Sequence, residues 1–166
     1  MQALEKLSKL VNGALALAGG LILVGMMILT VADMVLRVFG HPLAGTYEII
    51  GWLAAAATAL ALGYTQAHRG HVSISLVVDR LAPRTRGVIA FLTNAISLLL
   101  FAAVAWQVAR YGDVLRESGS LSETLKVIVY PWVFIVAIGA GGITLALVVD
   151  VLRSACRLFA GAEEQG

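Results

Sequence analysis

The sequence predicts an all-α integral membrane protein, with four transmembrane helices, both termini cytoplasmic, and a short interfacial segment between helices 2 and 3. Three observations predict it. Residues 11–32, 49–67, 87–109 and 127–149 form apolar runs without a single Lys, Arg, Asp, Glu or His. Each is long enough to cross a bilayer core of ~30 Å, which takes about 20 helical residues. The 166 residues are 60% hydrophobic with strongly positive mean hydropathy, which excludes an ordinary water-soluble core. The bases are also unequally divided. Lys6, Lys9, Arg69, Arg80, Arg84, Arg86, Arg153 and Arg157 fall on one side, and Arg37, Arg110, Arg116 and Lys126 on the other. Positive residues stay on the cytoplasmic side, so both termini are expected there.

The chain is expected to be one four-helix membrane domain, residues 1–166, with helices near 11–36, 47–67, 87–110 and 131–153. The connections are too short for a soluble catalytic or nucleic-acid-binding module. Intramembrane charges usually mark an ion or substrate path, and the helix centres carry none. Cys156 is the one cysteine, so no internal disulfide or cysteine-based metal site can form. Tyr47, Trp52, Trp106, Tyr111, Tyr130 and Trp132 cluster toward the side opposite the termini, where amphipathic rings settle at a membrane surface.

The first run follows Lys6 and Lys9 and contains Ala-x-Ala steps, like a secretory signal. A cleaved signal has an apolar region of only about 7–15 residues. This one continues unbroken to Ala32 and is expected to be a retained helix. At its end Thr30, Asp33 and Arg37 share one face. Asp33 and Arg37, four apart with the acid first, are in the favourable order for an intrahelical pair. That pair either tidies the helix end, meets a partner, or bridges to Glu48.

The hairpin Gly40-His41-Pro42-Leu43-Ala44-Gly45-Thr46 breaks the helix, and Thr46 is positioned to cap the next one. Glu48 then lies in the first turn, where the helix dipole favours an acid. An Arg37–Glu48 ion pair across the hairpin is expected to hold the first two helices together.

The second helix repeats Gly51, Ala55, Ala59 and Gly63 at every fourth position. Such strips let helix backbones approach closely in lipid, although Ala and Gly are common in membrane helices anyway. The following segment, from His68 to Arg84, is apolar in its middle but too short to span, and suits the membrane interface. His68 and His71, without a nearby cysteine or carboxylate cluster, are a weak metal signal. No metal, catalytic group or cofactor is expected.

In the third run Asn94, Ser97 and Gln107 read as hydrogen-bonding glue between helices. Ser120 to Glu123 has a capping-box pattern. Pro131, between Tyr130 and Trp132, suits the start of the last helix. Gly139, Gly141 and Gly142 offer that helix a place for close contact.

Three groups of residues, in order, carry a resemblance. They are Arg37-x-x-Gly40-x-Pro42-x-x-Gly45-Thr46-x-Glu48; Arg69-Gly70-His71-Val72-x-Ile74 with Leu81-x-Pro83-x-x-x-Gly87; and Gly119, Ser122-x-Thr124-Leu125 and Pro131-Trp132. With four helices and this length, the chain resembles the DctQ-type small membrane subunit of tripartite ATP-independent periplasmic (TRAP) transporters over nearly its whole length. Ser75 stands where the family often has an acid.

The resemblance implies a non-enzymatic scaffold subunit in the bacterial inner membrane, part of a sodium-coupled symport system for an organic-acid-type solute. Its implied partners are the large membrane subunit, a periplasmic solute-binding protein and membrane lipids, with no nucleic acid. The residues expected at interfaces are Arg37, Glu48, Gly51, Ala55, Ala59, Gly63, Arg69, Gly70, His71, Pro131 and Trp132.

Two other readings compete. A self-sufficient four-helix transporter would couple to protons through an acid deep in a helix, whereas Asp33 and Glu48 sit near helix ends. A redox anchor for haem or quinone would need histidines inside facing helices. His41, His68 and His71 lie in loops or at helix ends.

Overall fold

The structure is a computed structural model that describes residues 2–68 and 83–163. Within them are four helices: α1 (Gln2–Val38), α2 (Thr46–Ala67), α3 (Pro83–Ser118) and α4 (Tyr130–Glu163). All four are long and apolar enough to cross a membrane.

Three of them outrun the apolar segments that predict them. The 37 residues of α1 span ~55 Å at 1.5 Å per residue. Its first turns, Ala3-Leu4-Glu5-Lys6-Leu7, are strong helix formers, so nothing stops the helix where the charges begin. α3 likewise continues through Arg110–Ser118, in spite of Gly112 and Asp113, and α4 continues past Arg153.

The helices do not close into a symmetric bundle. α2 and α4 pack together at the centre, α1 packs mainly on α2 and also touches α4, and α3 rests on α4. The core is built from Ala56, Ala57, Ala59 and Leu60 of α2 with Ala140, Ile143, Ala146, Leu147 and Val149 of α4. Small residues dominate because, in lipid, association relies on close packing rather than on expelling water.

Gly139 shows how close the backbones come. A Cβ there would lie 2.5 Å from the Ala59 carbonyl carbon and 2.8 Å from the Leu60 nitrogen. Gly19 of α1 meets the Ala57 carbonyl oxygen in a similar way, 3.1 Å from the place a Cβ would occupy.

Where α1, α2 and α4 meet, the fully buried Asn12 fills the junction. Its Nδ2 donates to the Ser8 carbonyl oxygen at 2.9 Å and to Ser8 Oγ at 3.3 Å. Its Oδ1 has no N–H or O–H donor among the described residues and packs where side chains on Gly63 and Gly142 would otherwise be. The Cα–H groups of those glycines are the donors it faces, a weak bond that recurs between close helices.

The expected small-residue strip divides in two. Ala59 and Gly63 are buried in this core, while Gly51 and Ala55 are exposed. A repeat of four drifts by ~40° per step against the 3.6-residue turn, so a four-residue strip winds around the helix. A straight neighbour covers half of it and leaves the rest. The face that stays buried is Ala56, Ala57, Ala59, Leu60 and Gly63.

α3 is staggered against the others. Gly112 lies under the Phe134 ring, and Asn94 Nδ2 donates to Ser154 Oγ at 3.1 Å. Between these anchors, Gln107 comes level with the Gly139 region of α4.

Candidate functional site

The α1–α2 and α3–α4 connectors lie at the same end of the molecule, and two carboxylates shape them. Asp33, only 6% exposed, has both oxygens engaged. Oδ1 accepts from the Leu43 backbone N–H at 2.9 Å, which folds the hairpin back on α1. Oδ2 accepts from the Arg37 guanidinium, Nε and NH2 each at 2.9 Å. The Arg37 guanidinium also lies over the Tyr47 ring, 5.5 Å from its centre.

Glu48 plays the matching role for the other connector. Oε1 accepts from the Thr124 N–H at 2.9 Å and Oε2 from the Leu125 N–H at 3.2 Å. Hydrogen bonds to an ionised acceptor are the stronger kind. The expected Arg37–Glu48 bridge is therefore not formed, because each partner is taken: Arg37 by Asp33 one turn earlier, Glu48 by the distant connector.

Thr46 does not cap α2 either. Its hydroxyl donates to the Leu43 carbonyl oxygen at 2.9 Å, and the N-cap position is Gly45 at φ 75°. That left-handed conformation favours glycine, and the Leu125 side chain packs directly on Gly45, where a Cβ would collide with it. Leu125 thus presses one connector onto the other while Glu48 grips its backbone.

Ser120 and Glu123 do not open a helix. Residues 121–128 make a small turn instead, with a bridge between Leu121 and Ile128 and a Ser122 N–H to Val127 carbonyl bond of 2.9 Å. Of the remaining expected interface residues, Trp132 stacks on Trp52 with ring centres 5.8 Å apart, and Pro131 is exposed at the start of α4. Arg69, Gly70 and His71 lie outside the described residues, as do Ser75 and most of the expected interfacial segment. His68 ends α2, with its ring 4.1 Å from that of Tyr64.

At the opposite end the ties among the described residues are between side chains. Arg153 of α4 pairs with Glu5 of α1 at 2.5–2.6 Å. Gln66 of α2 donates to Asp150 of α4 at 2.8 Å. Sequence reasoning missed both ties, and missed Asn12, although a lone amide inside an apolar run was a visible signal. The cavity among Glu5, Ser8, Lys9, Asp150 and Arg153 measures about 20 Å³, room for one water and too small for a solute. Among the described residues, no three His, Cys, Asp or Glu side chains come together.

Four membrane-length helices, with two connectors that the protein's own carboxylates hold in place, define the class as a helical, multi-pass membrane protein. Residues 26–157 match the family model described as "Tripartite ATP-independent periplasmic transporters, DctQ component". The chain belongs to that family, as a small membrane subunit of a TRAP transporter. Comparison with curated proteins and with solved structures gave no match.

Proposed function

We propose that this chain is the non-catalytic scaffold of a sodium-coupled TRAP symporter in the bacterial inner membrane. It binds the large membrane subunit, which moves an organic-acid-type solute delivered by a periplasmic binding protein. Its single four-helix domain sits with both termini in the cytoplasm. The connector end faces the periplasm.

The observation that carries this reading is where the acids go. Asp33 and Glu48 are spent on backbone amides of the connectors, and Glu5 and Asp150 on ties between helices. Family membership supplies the setting, and the excess of bases on the termini side supports the orientation.

The test is genetic and biochemical. In a strain that keeps the large subunit and the binding protein, deletion of this chain should abolish sodium-dependent solute uptake, and re-expression should restore it. A tag on the C-terminus should co-purify the large subunit. Uptake undiminished by the deletion, or a purified chain that transports solute alone in liposomes, would refute the scaffold reading.

A further inference from the structure

The exposed side of α3 carries a seam at heptad spacing: Thr93, Ile96, Leu100, Ala103, Gln107 and Arg110. All six are exposed, Ile96 at 65% and Leu100 at 60%. Residues spaced alternately by three and four face one neighbouring helix.

The polar members of the seam have no partner among the described residues: neither the Thr93 hydroxyl, the Gln107 amide nor the Arg110 guanidinium makes a hydrogen bond or ion pair there. Asn94, on the packed side of the same helix, is bonded to Ser154. The stagger of α3 sharpens the problem. Between the Gly112–Phe134 and Asn94–Ser154 contacts, Gln107 comes level with Gly139, which is packed on the Ala59 backbone well inside the apolar runs. Lipid tails offer an amide at that depth nothing.

α1 makes the opposite case. Its exposed face is Leu17, Leu21, Val24, Ile28, Val31 and Val35, all apolar, and its exposed Thr30 hydroxyl is satisfied by the Met26 carbonyl at 2.8 Å. That face needs no covering protein.

We infer that the Thr93–Arg110 seam of α3 is the surface that packs against a transmembrane helix of the large subunit, and that α1 faces lipid. This rests on the proposed assembly with that subunit. A second copy of the chain does not fit. A two-fold axis along the membrane normal would set Arg110 against Arg110, like charges in a close contact. The fitting partner helix offers hydrogen-bonding groups at the depths of Thr93 and Gln107, and an acid or free carbonyl near Arg110.

Single cysteines test this without disturbing the fold. Leu100→Cys and Ile28→Cys are placed separately in a Cys156→Ser background, co-expressed with the large subunit, and treated with a thiol-reactive photo-crosslinker. The expected result is a crosslink to the large subunit from position 100 and none from position 28. In parallel, Thr93→Val with Gln107→Leu should weaken co-purification on the order of tenfold, the loss of two interhelical hydrogen bonds. Thr30→Val should leave it unchanged.

Intact co-purification with crosslinks from position 28 alone, from neither position, or only between two copies of this chain would overturn the seam and leave the assembly standing. Failure of the unmodified chain to co-purify with the large subunit would instead overturn the assembly itself.

Discussion

The three-helix junction of α1, α2 and α4 and the α3 edge are built on different principles. In the junction, backbones touch through Gly19, Ala57, Ala59, Gly63, Gly139 and Gly142, and the polar Asn12 is locked among them. α3 reaches α4 through side chains, with one amide–hydroxyl bond, and no residue of its most apolar stretch is fully buried. A junction without slack fixes the shape of the subunit. An edge packed on one side has surface left to give to another protein.

Mutations can break or sharpen this contrast. The largest effect is expected for Gly139→Leu, where the Ala59–Leu60 backbone cannot yield; it should cost about 3 kcal/mol or more. Thermal unfolding in detergent measures it, and an unchanged midpoint would mean the junction has slack after all.

Gly112→Leu is the matched change at the edge. A Cβ there first meets one edge of the Phe134 ring, 3.1–3.3 Å away, a side chain that needs to give by only a few tenths of an ångström, so the cost should be nearer about 1 kcal/mol. Equal losses at positions 112 and 139 would erase the distinction. Asn94→Leu should cost less again, about 0.6 kcal/mol, the average for a hydrogen bond between membrane helices.

Glu48→Gln probes the link between the two regions. It should speed amide exchange at Thr124 and Leu125 several-fold while leaving exchange in the α2 core unchanged, because only the grip on the connector weakens. Exchange that also rises around Ala56–Leu60 would show that the connector supports the junction. The smallest effect belongs to the exposed face of α1: Ile28→Ala should shift stability by no more than about 0.5 kcal/mol.

Much of the frame could be read from the sequence. Runs free of charge are a strong constraint on anything that crosses lipid, and they placed all four helices. Pro131 marked the start of α4 to within a residue. What escaped was pairing. Glu48 bonds to backbone amides 76 and 77 residues further along, and an amide N–H has no signature in a sequence. The small-residue strip was visible, but which half would be buried depended on how the helices cross. The capping-box pattern at Ser120 was local evidence that tertiary bonds overrode, since Ser122 and Glu48 hold that stretch as a turn. The helix ends were underestimated because charge ends a membrane run without ending a helix.

The grip of Asp33 and Glu48 on the two connectors has a thermodynamic consequence. Flexible loops lose conformational freedom when something settles on them, and that loss is subtracted from affinity. Here the chain has already given up that freedom during its own folding: Leu43, Thr124 and Leu125 are held by carboxylates, and Leu125 is seated on Gly45. A protein that lands on this end meets a surface in its final form, and its contacts count almost wholly toward binding.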